Sequence, residues 1–291
     1  MGNYTVIHHA HLYGSPEEYV RAVMAFVEAG ARQGEPVMVA VPNPKGDLLT
    51  PLLAGFKEVE MVDLSDLGRN PSRFLPAAMD FVADHDRPAR IVAEPIWPGR
   101  RRDETAEAER HEALVGQIRS KRPVEMLCLY DGRRLPHGAI SEMWRSHPDV
   151  TVLGITVTSA QYIPEAGPPA DSHWPLEPFP PAGQTIDIDF DRVNPVRAGA
   201  RAVAAMADLS VDRTEDLVLA VAELAWHSII SGGGRGRLRL WATGSGAALC
   251  EVLDASARPD GQDLWLVNQL CDLVQVRSEP EGTRIRIRVG P

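Results

Sequence analysis

The sequence is short of cysteine, of positive charge and of long apolar runs, and each shortage excludes something. Its three cysteines, Cys128, Cys250 and Cys271, stand far apart in 291 residues. With no CxxC pair and no Cys/His ligand spacing, buried reduced thiols are expected, and no metal site. His8, His9 and His11 alternate too simply to define one. No run of about 18 apolar residues occurs, and no basic-then-apolar leader opens the chain. Neither a membrane partner nor export is therefore expected, and the expected compartment is the cytoplasm. Thirty Lys and Arg stand against forty Asp and Glu, a formal net charge of −10, which argues against nucleic acid as a partner. The loop Pro42–Asp47 lacks the GxxxxGK[ST] pattern of a phosphate loop and reads as an ordinary turn. No nucleophile elbow surrounds Ser210, Ser228 or Ser256.

What is present is a soluble, globular composition, 44% hydrophobic, at a length that suits two domains. Seven of the twenty residues from Pro164 to Gly183 are proline. Such a stretch sustains neither a helix nor a central strand and acts as a semi-rigid spacer. The expected organisation is a domain over 1–162, a linker over 163–184 and a second domain over 185–291.

In the first domain short apolar runs alternate with helical patterns. Strands are expected at Tyr4–His9, Pro36–Val41, Ile91–Ala93 and Val124–Leu129. Ser15-Pro16-Glu17-Glu18 is a helix start, with Ser at the N-cap and Pro at N1. Tyr19, Val23, Phe26 and Val27 follow at the spacing of one buried face, and Gly30 is the expected stop. Further helices are expected at 44–55, 70–85, 102–121 and 137–146, and the mixed charges of 100–112 read as a solvated helix face. Apolar strands separated by helices define an α/β doubly wound domain with a parallel sheet. His8, Glu94 and Asp131 are placed at the C-terminal ends of strands, the edge where such sheets collect ligands. A cleft of His8, Tyr13, Glu94, Trp97, Glu112 and Asp131 would offer an aromatic wall and polar anchors.

In the second domain a strand at Thr185–Phe190 precedes helices at 194–208 and 212–230. Strands at Arg237–Ala242, Ala247–Asp254, Val274–Arg277 and Thr283–Val289 follow, with a helix near 262–271. The pattern is that of an α+β two-layer sandwich.

Two resemblances follow. Residues 1–160 resemble the MEDS type of sensory domain through His8-His9-Ala-His11-Leu-Tyr13, Glu94-Pro-Ile-Trp97, Arg110-His-Glu112, Cys128-Leu-Tyr-Asp131 and His147-Pro148. The likeness implies sensing of a small molecule or partner in a bacterial regulator. Residues 185–289 resemble the GHKL (Bergerat-type) ATPase domain of anti-sigma-factor serine kinases and histidine kinases. The order Glu223-Leu-Ala-Trp-His227, Asp254-Ala-Ser256, Gly261-Gln-Asp263-Leu-Trp-Leu-Val-Asn268 and Gly282-Thr283 carries it. In that family the Glu acts as general base, an Asn holds Mg²⁺, an Asp reads adenine and glycines leave room for nucleotide. Here His227 stands for the Asn, and an imidazole suits softer metals than Mg²⁺. Ser256 replaces a Gly, the lid shrinks to 257–260, and Asp263 brings a carboxylate to a helix start that would otherwise attract phosphate.

The expectation is a degenerate, non-catalytic kinase-like module that needs no cofactor. It would transmit a signal by binding a sigma factor or anti-sigma antagonist in transcription regulation. The alternative is an active ATP- and Mg²⁺-dependent serine protein kinase with Glu223 as base. The resemblance also implies a homodimer.

Overall fold

The computed structural model describes residues 4–163, 175–176, 178, 184–231, 233–254, 264–279 and 282–291. The chain divides into two compact units, Met1–Ala170 and Asp171–Pro291. Most of the Pro-rich stretch, with Trp174 and Phe179, lies outside the described residues, as do Ser256, the shortened lid, Gly261 and Asp263.

The first unit runs β1 (Tyr4–Thr5), β2 (Ile7–Tyr13), α1 (Pro16–Gln33), β3 (Val37–Val41), α2 (Lys45–Leu53), β4 (Val59–Asp63), α3 (Phe74–Ala83), β5 (Ala89–Ala93), α4 (Arg102–Val115), β6 (Arg119–Ser120), β7 (Val124–Asp131), α5 (His137–Ser146), β8 (Asp149–Val152) and β9 (Ile155–Thr158), with two short 3-10 turns before α3. Seven strands form one sheet in the order β4-β3-β5-β7-β2-β8-β9. Every neighbour is parallel except the β8–β9 hairpin. β1 and β6 pair separately and antiparallel.

Both faces of the sheet are covered. Val37, Val39 and Val41 of β3 pack with Tyr19, Val23 and Val27 of α1 and Leu49 of α2. Met38 and Ala40 point the other way, into a core with Phe74 and Ala78 of α3, Ala108 of α4 and Met143 of α5. Because alternate side chains leave a strand on opposite faces, a doubly covered strand must be apolar throughout. That is why Pro36–Val41 reads as one continuous run.

α1 begins as expected. The Ser15 hydroxyl accepts the Glu18 N–H at 3.2 Å, and the Glu18 carboxylate accepts the Gly14 N–H at 2.6 Å. It does not stop at Gly30. It runs to Gln33 and closes on Gly34, whose φ of 68° is the left-handed cap conformation. Gly30 serves packing instead: a Cβ there would lie 2.8 Å from Val37 Cγ2 and 2.9 Å from Arg90 Cδ.

Other expectations need correction. Tyr4–His9 is not one strand. It divides at Val6, and β2 continues to Tyr13. α4 ends at Val115, not 121, because the chain turns at Gly116 to form β6 beside β1. β4, β8 and β9 were not foreseen. β4 and β9 are the two edges of the sheet, where half-exposed sequences such as Val59-Glu-Met-Val-Asp63 carry little apolar signal.

The second unit runs β10 (Gln184–Phe190), α6 (Val193–Met206), α7 (Val211–Ser231), β11 (Gly236–Ala242), β12 (Ala248–Asp254), α8 (Trp265–Leu270), β13 (Leu273–Glu279) and β14 (Gly282–Val289). Its sheet is wholly antiparallel, in the order β10-β11-β12-β14-β13. One face meets the helices: Leu240, Cys250, Ile287 and Val274 lie in register across four strands. They share a core with Val196, Val203, Leu217, Val221 and Leu224. Burying each such side chain contributes about 1.5–3 kcal/mol. On the alternate positions Glu251 binds Arg284 at 2.5 Å and Arg286 at 2.6 Å. All three cysteines are buried, and none of them forms a disulfide. Among the described residues no helix is long and apolar enough to cross a membrane.

Candidate functional site

At the C-terminal edge of the parallel sheet, three strand ends and one helix start bring polar groups together. Tyr13 closes β2, Glu94 follows β5, Asp131 closes β7 and Lys45 opens α2. The Tyr13 hydroxyl donates to Glu94 Oε1 at 2.8 Å, and the Lys45 ammonium donates to both the Tyr13 oxygen and Glu94 Oε1. The same ammonium lies 4.7 Å from the Tyr13 ring centre and 4.9 Å from that of Tyr19.

Glu94 is fully buried. Burial raises its pKa above the ordinary carboxylate value, and Lys45 opposes part of that rise. Burial, followed by the nearby Glu94 charge, pushes both tyrosines well above their usual range. Glu94 Oε2 and the Tyr19 hydroxyl are buried without a well-formed hydrogen bond, although the Tyr19 hydroxyl is near enough to feel the Glu94 carboxylate. Such groups are costly unless something completes them.

A second polar cluster is buried on the α4/α5 face of the sheet. It consists of Glu112 from α4, Cys128 and Tyr130 from β7, His8 from β2 and His147 after α5. The Tyr130 hydroxyl donates to Glu112 Oε2 at 2.9 Å, and the Cys128 thiol faces Glu112 Oε1 at 3.8 Å. His147 Nε2 lies 3.1 Å from Glu112 Oε2. The His8 and His147 rings are tilted 4.6 Å apart. Burial, then the His147 charge, lowers the His8 pKa to about 3, so His8 is neutral. Burial alone would raise Glu112, but His147, His8 and Tyr130 outweigh it and hold the carboxyl below its ordinary range. Burial and then Glu112 push the Cys128 thiol well above its usual value.

The six residues expected to share one cleft therefore separate. Tyr13 and Glu94 meet. His8 and Glu112 meet elsewhere, because β2 continues five residues past His8 and leaves it near the strand's start, not its C-terminal end. Asp131 Oδ1 accepts the N–H groups of Arg133 and Arg134 at 3.1 Å each and shapes the turn after β7. Trp97 stacks beneath Arg100, whose guanidinium carbon lies 4.1 Å from the ring centre.

The segment read as a solvated helix face is also corrected. Glu104, Glu107, Arg110 and Glu112 are all buried. Arg110 and His111 both reach Glu107 Oε1, at 3.2 and 3.4 Å, so pairing offsets the burial of charge. Lys45 was missed because its loop matched no phosphate motif. Its position just after a strand and at a helix start was the available signal.

A small pocket of about 10 Å³, room for roughly one water, lies among Phe74, Leu75, Ala108, His111 and Glu112. A wider groove of about 570 Å³ is lined by His9, His11, Phe26, Arg90, Glu125 and Thr151, among others.

In the second unit Glu223 and His227 lie one turn apart on α7, both half-buried, and His227 Nε2 has no hydrogen-bond partner. Asp254 stands directly opposite Thr283 in the β12–β14 register, next to Gly282.

Residues 7–148 match the family described as MEDS, the MEthanogen/methylotroph, DcmR Sensory domain. The matched span runs from the start of β2 to the residue before β8 and contains both polar clusters of the first unit. A search of curated proteins finds no match for the chain.

Proposed function

We propose that the protein is a cytoplasmic signalling regulator whose first unit senses a small molecule and whose second unit passes the signal to a protein partner. The observation that carries the sensing half is the Tyr13–Lys45–Glu94 group. It lies inside a span that matches a sensory-domain family, at the sheet edge where α/β domains bind ligands, with a buried carboxylate oxygen and a buried hydroxyl still uncompleted. A small polar molecule that donates to Glu94 Oε2 and accepts from Tyr19 would complete both. A thermal-shift screen of the full-length protein against small alcohols, amines and organic acids tests this. A stabilising compound should lose its effect in Tyr19→Phe, and equal shifts in both proteins would place the ligand elsewhere.

For the second unit we infer a GHKL-like module that binds a regulatory protein such as a sigma factor or anti-sigma antagonist. The antiparallel sheet with helices on one face and the Asp254–Thr283 register support this reading. His227 at the metal-binding position favours output without catalysis. The same Asp254–Thr283 pair favours a second reading, an ATP-dependent serine protein kinase. Calorimetric titration of ATP, with and without Mg²⁺, separates them. No saturable binding up to millimolar ATP is expected. Saturable binding abolished by Asp254→Ala would replace the first reading with the second.

A further inference from the structure

Four side chains that the sequence spreads over 140 positions converge in the core of the first unit. One ligating atom each from His8, Glu112, Cys128 and His147 lies within 4.8 Å of the others. All four residues are buried, His147 completely.

Their hydrogen bonds set the direction of the free lone pairs. His147 Nδ1 lies 3.0 Å from both the Met143 carbonyl and the Ser146 hydroxyl oxygen; the carbonyl can only accept, so a ring proton on Nδ1 has a partner and leaves Nε2 able to act as a ligand. In that form Nε2 turns its lone pair to Glu112 Oε2, 3.1 Å away, the carboxylate it pairs with when it carries a proton itself. His8 Nδ1 is buried and unpartnered. A lone pair facing a carboxylate is repulsive unless a cation lies between them, and a metal cation that takes the place of a proton there turns both groups into ligands.

The charges favour the same occupant. A divalent ion bound to one thiolate, one carboxylate and two neutral imidazoles gives a site of zero net charge, which suits a dry core. Thiolate and imidazole donors select zinc-type ions over Mg²⁺ or Ca²⁺. Bonds of about 2.0–2.3 Å place the ligand atoms of tetrahedral zinc roughly 3.3–3.8 Å apart. His147 Nε2 already stands 3.1 Å from Glu112 Oε2, and Cys128 Sγ stands 3.8 Å from the other oxygen, Oε1. Outer support is also in place: Tyr130 donates to Glu112, and the Met143 carbonyl orients His147.

We propose that His8, Glu112, Cys128 and His147 form a closed, four-ligand site for a zinc-type divalent cation. Binding releases the Cys128 thiol proton to solvent. The site stands apart from the Tyr13–Lys45–Glu94 group, and its existence does not depend on the sensing reading. Local spacing gave no reason to expect a metal, because the ligands come from β2, α4, β7 and the α5–β8 junction.

The test uses the full-length, reduced protein loaded with Zn²⁺, or with Co²⁺ as a spectroscopic probe. One equivalent of zinc per chain should survive dialysis. X-ray absorption should show one sulfur and three nitrogen or oxygen neighbours. The cobalt form should show a sulfur-to-metal charge-transfer band. Cys128→Ser should abolish that band and weaken affinity at least about tenfold. Tyr130→Phe should keep the band and weaken affinity about 10–100-fold. Substoichiometric zinc, a shell without sulfur, or unchanged affinity in Cys128→Ser would overturn the proposal. So would ¹⁵N NMR signals showing both His147 nitrogens protonated in the zinc-treated protein, which would make the pair with Glu112 a buried imidazolium–carboxylate contact. The absorption experiment on the wild-type chain stands even if a variant fails to fold.

Discussion

Glu94 holds a buried carboxylate with Lys45 as its cation. Its folded pKa is raised above 4.5. Between those two values the folded state binds more protons than the unfolded one, so Glu94 makes stability fall as pH rises through that window. The slope reaches at most about 1.4 kcal/mol per pH unit. Denaturant midpoints of wild type and Glu94→Gln, measured across mildly acidic pH, should diverge in that sense, and parallel curves would contradict it. Lys45→Met should cost about 3 kcal/mol at neutral pH by leaving a buried charge unpaired. That cost should shrink in acid as Glu94 protonates, whereas a pH-independent loss would mean that Lys45 acts only through packing. Glu94 and Asp131 were legible as strand-end residues because chain order places a strand's end, whereas His8 was expected there too and Tyr13 takes the end of β2 instead. Lys45 was not, since its position after a strand and at a helix start is only a weak signal until the carboxylate it meets is known.

At the scale of elements, α1 separates what local chemistry decides from what packing decides. Its start was readable from Ser15-Pro16-Glu17-Glu18, and Ser15→Ala should cost about 1 kcal/mol through the lost cap. Its end was misplaced, because Gly30 and Gly34 look alike in sequence and only one has a positive φ. Gly30→Ala gains about 1 kcal/mol of helix propensity. It also forces a methyl group against Val37 and against Arg90, whose guanidinium is held by Glu35 and Glu125 at 2.6 Å each. Overpacking of about 1–3 kcal/mol should win. Thermal melts should rank Gly34→Ala and Gly30→Ala as both destabilising, the former through backbone strain and the latter through contact. A stabilised Gly30→Ala would show that Arg90 yields freely. α4 teaches a related lesson. Its alternating charges suit a wet surface by composition, yet Glu107 with Arg110 and His111, and Glu112 with Tyr130, carry those charges into the interior in pairs.

Over the whole molecule, the net charge of −10 remains the broadest constraint. Neutralising phosphates needs clustered Lys and Arg. Fluorescence anisotropy with duplex DNA at low salt should therefore show no saturable binding, and tight, salt-sensitive binding would reverse that expectation. Arginines do gather on β14 as Arg284, Arg286 and Arg288, but Glu251 accepts from the first two, which lowers their value as a phosphate surface.

Periodicity and punctuation in the chain were enough to determine a parallel α/β unit and an α+β unit, because an apolar run, a cap residue or a helical stripe acts through near neighbours in sequence; the wholly antiparallel pairing of the second sheet came from the structure. Short motifs were also enough to point to a sensory family over residues 1–160, of which 7–148 match the family. Tertiary structure alone decided which polar residues meet. It split the expected cleft, carried His8 away from Glu94, and set His8, Glu112, Cys128 and His147 within 4.8 Å of one another. The physical reason is that burial, lone-pair direction and charge pairing depend on distances across strands and helices far apart in the chain, which no local pattern records.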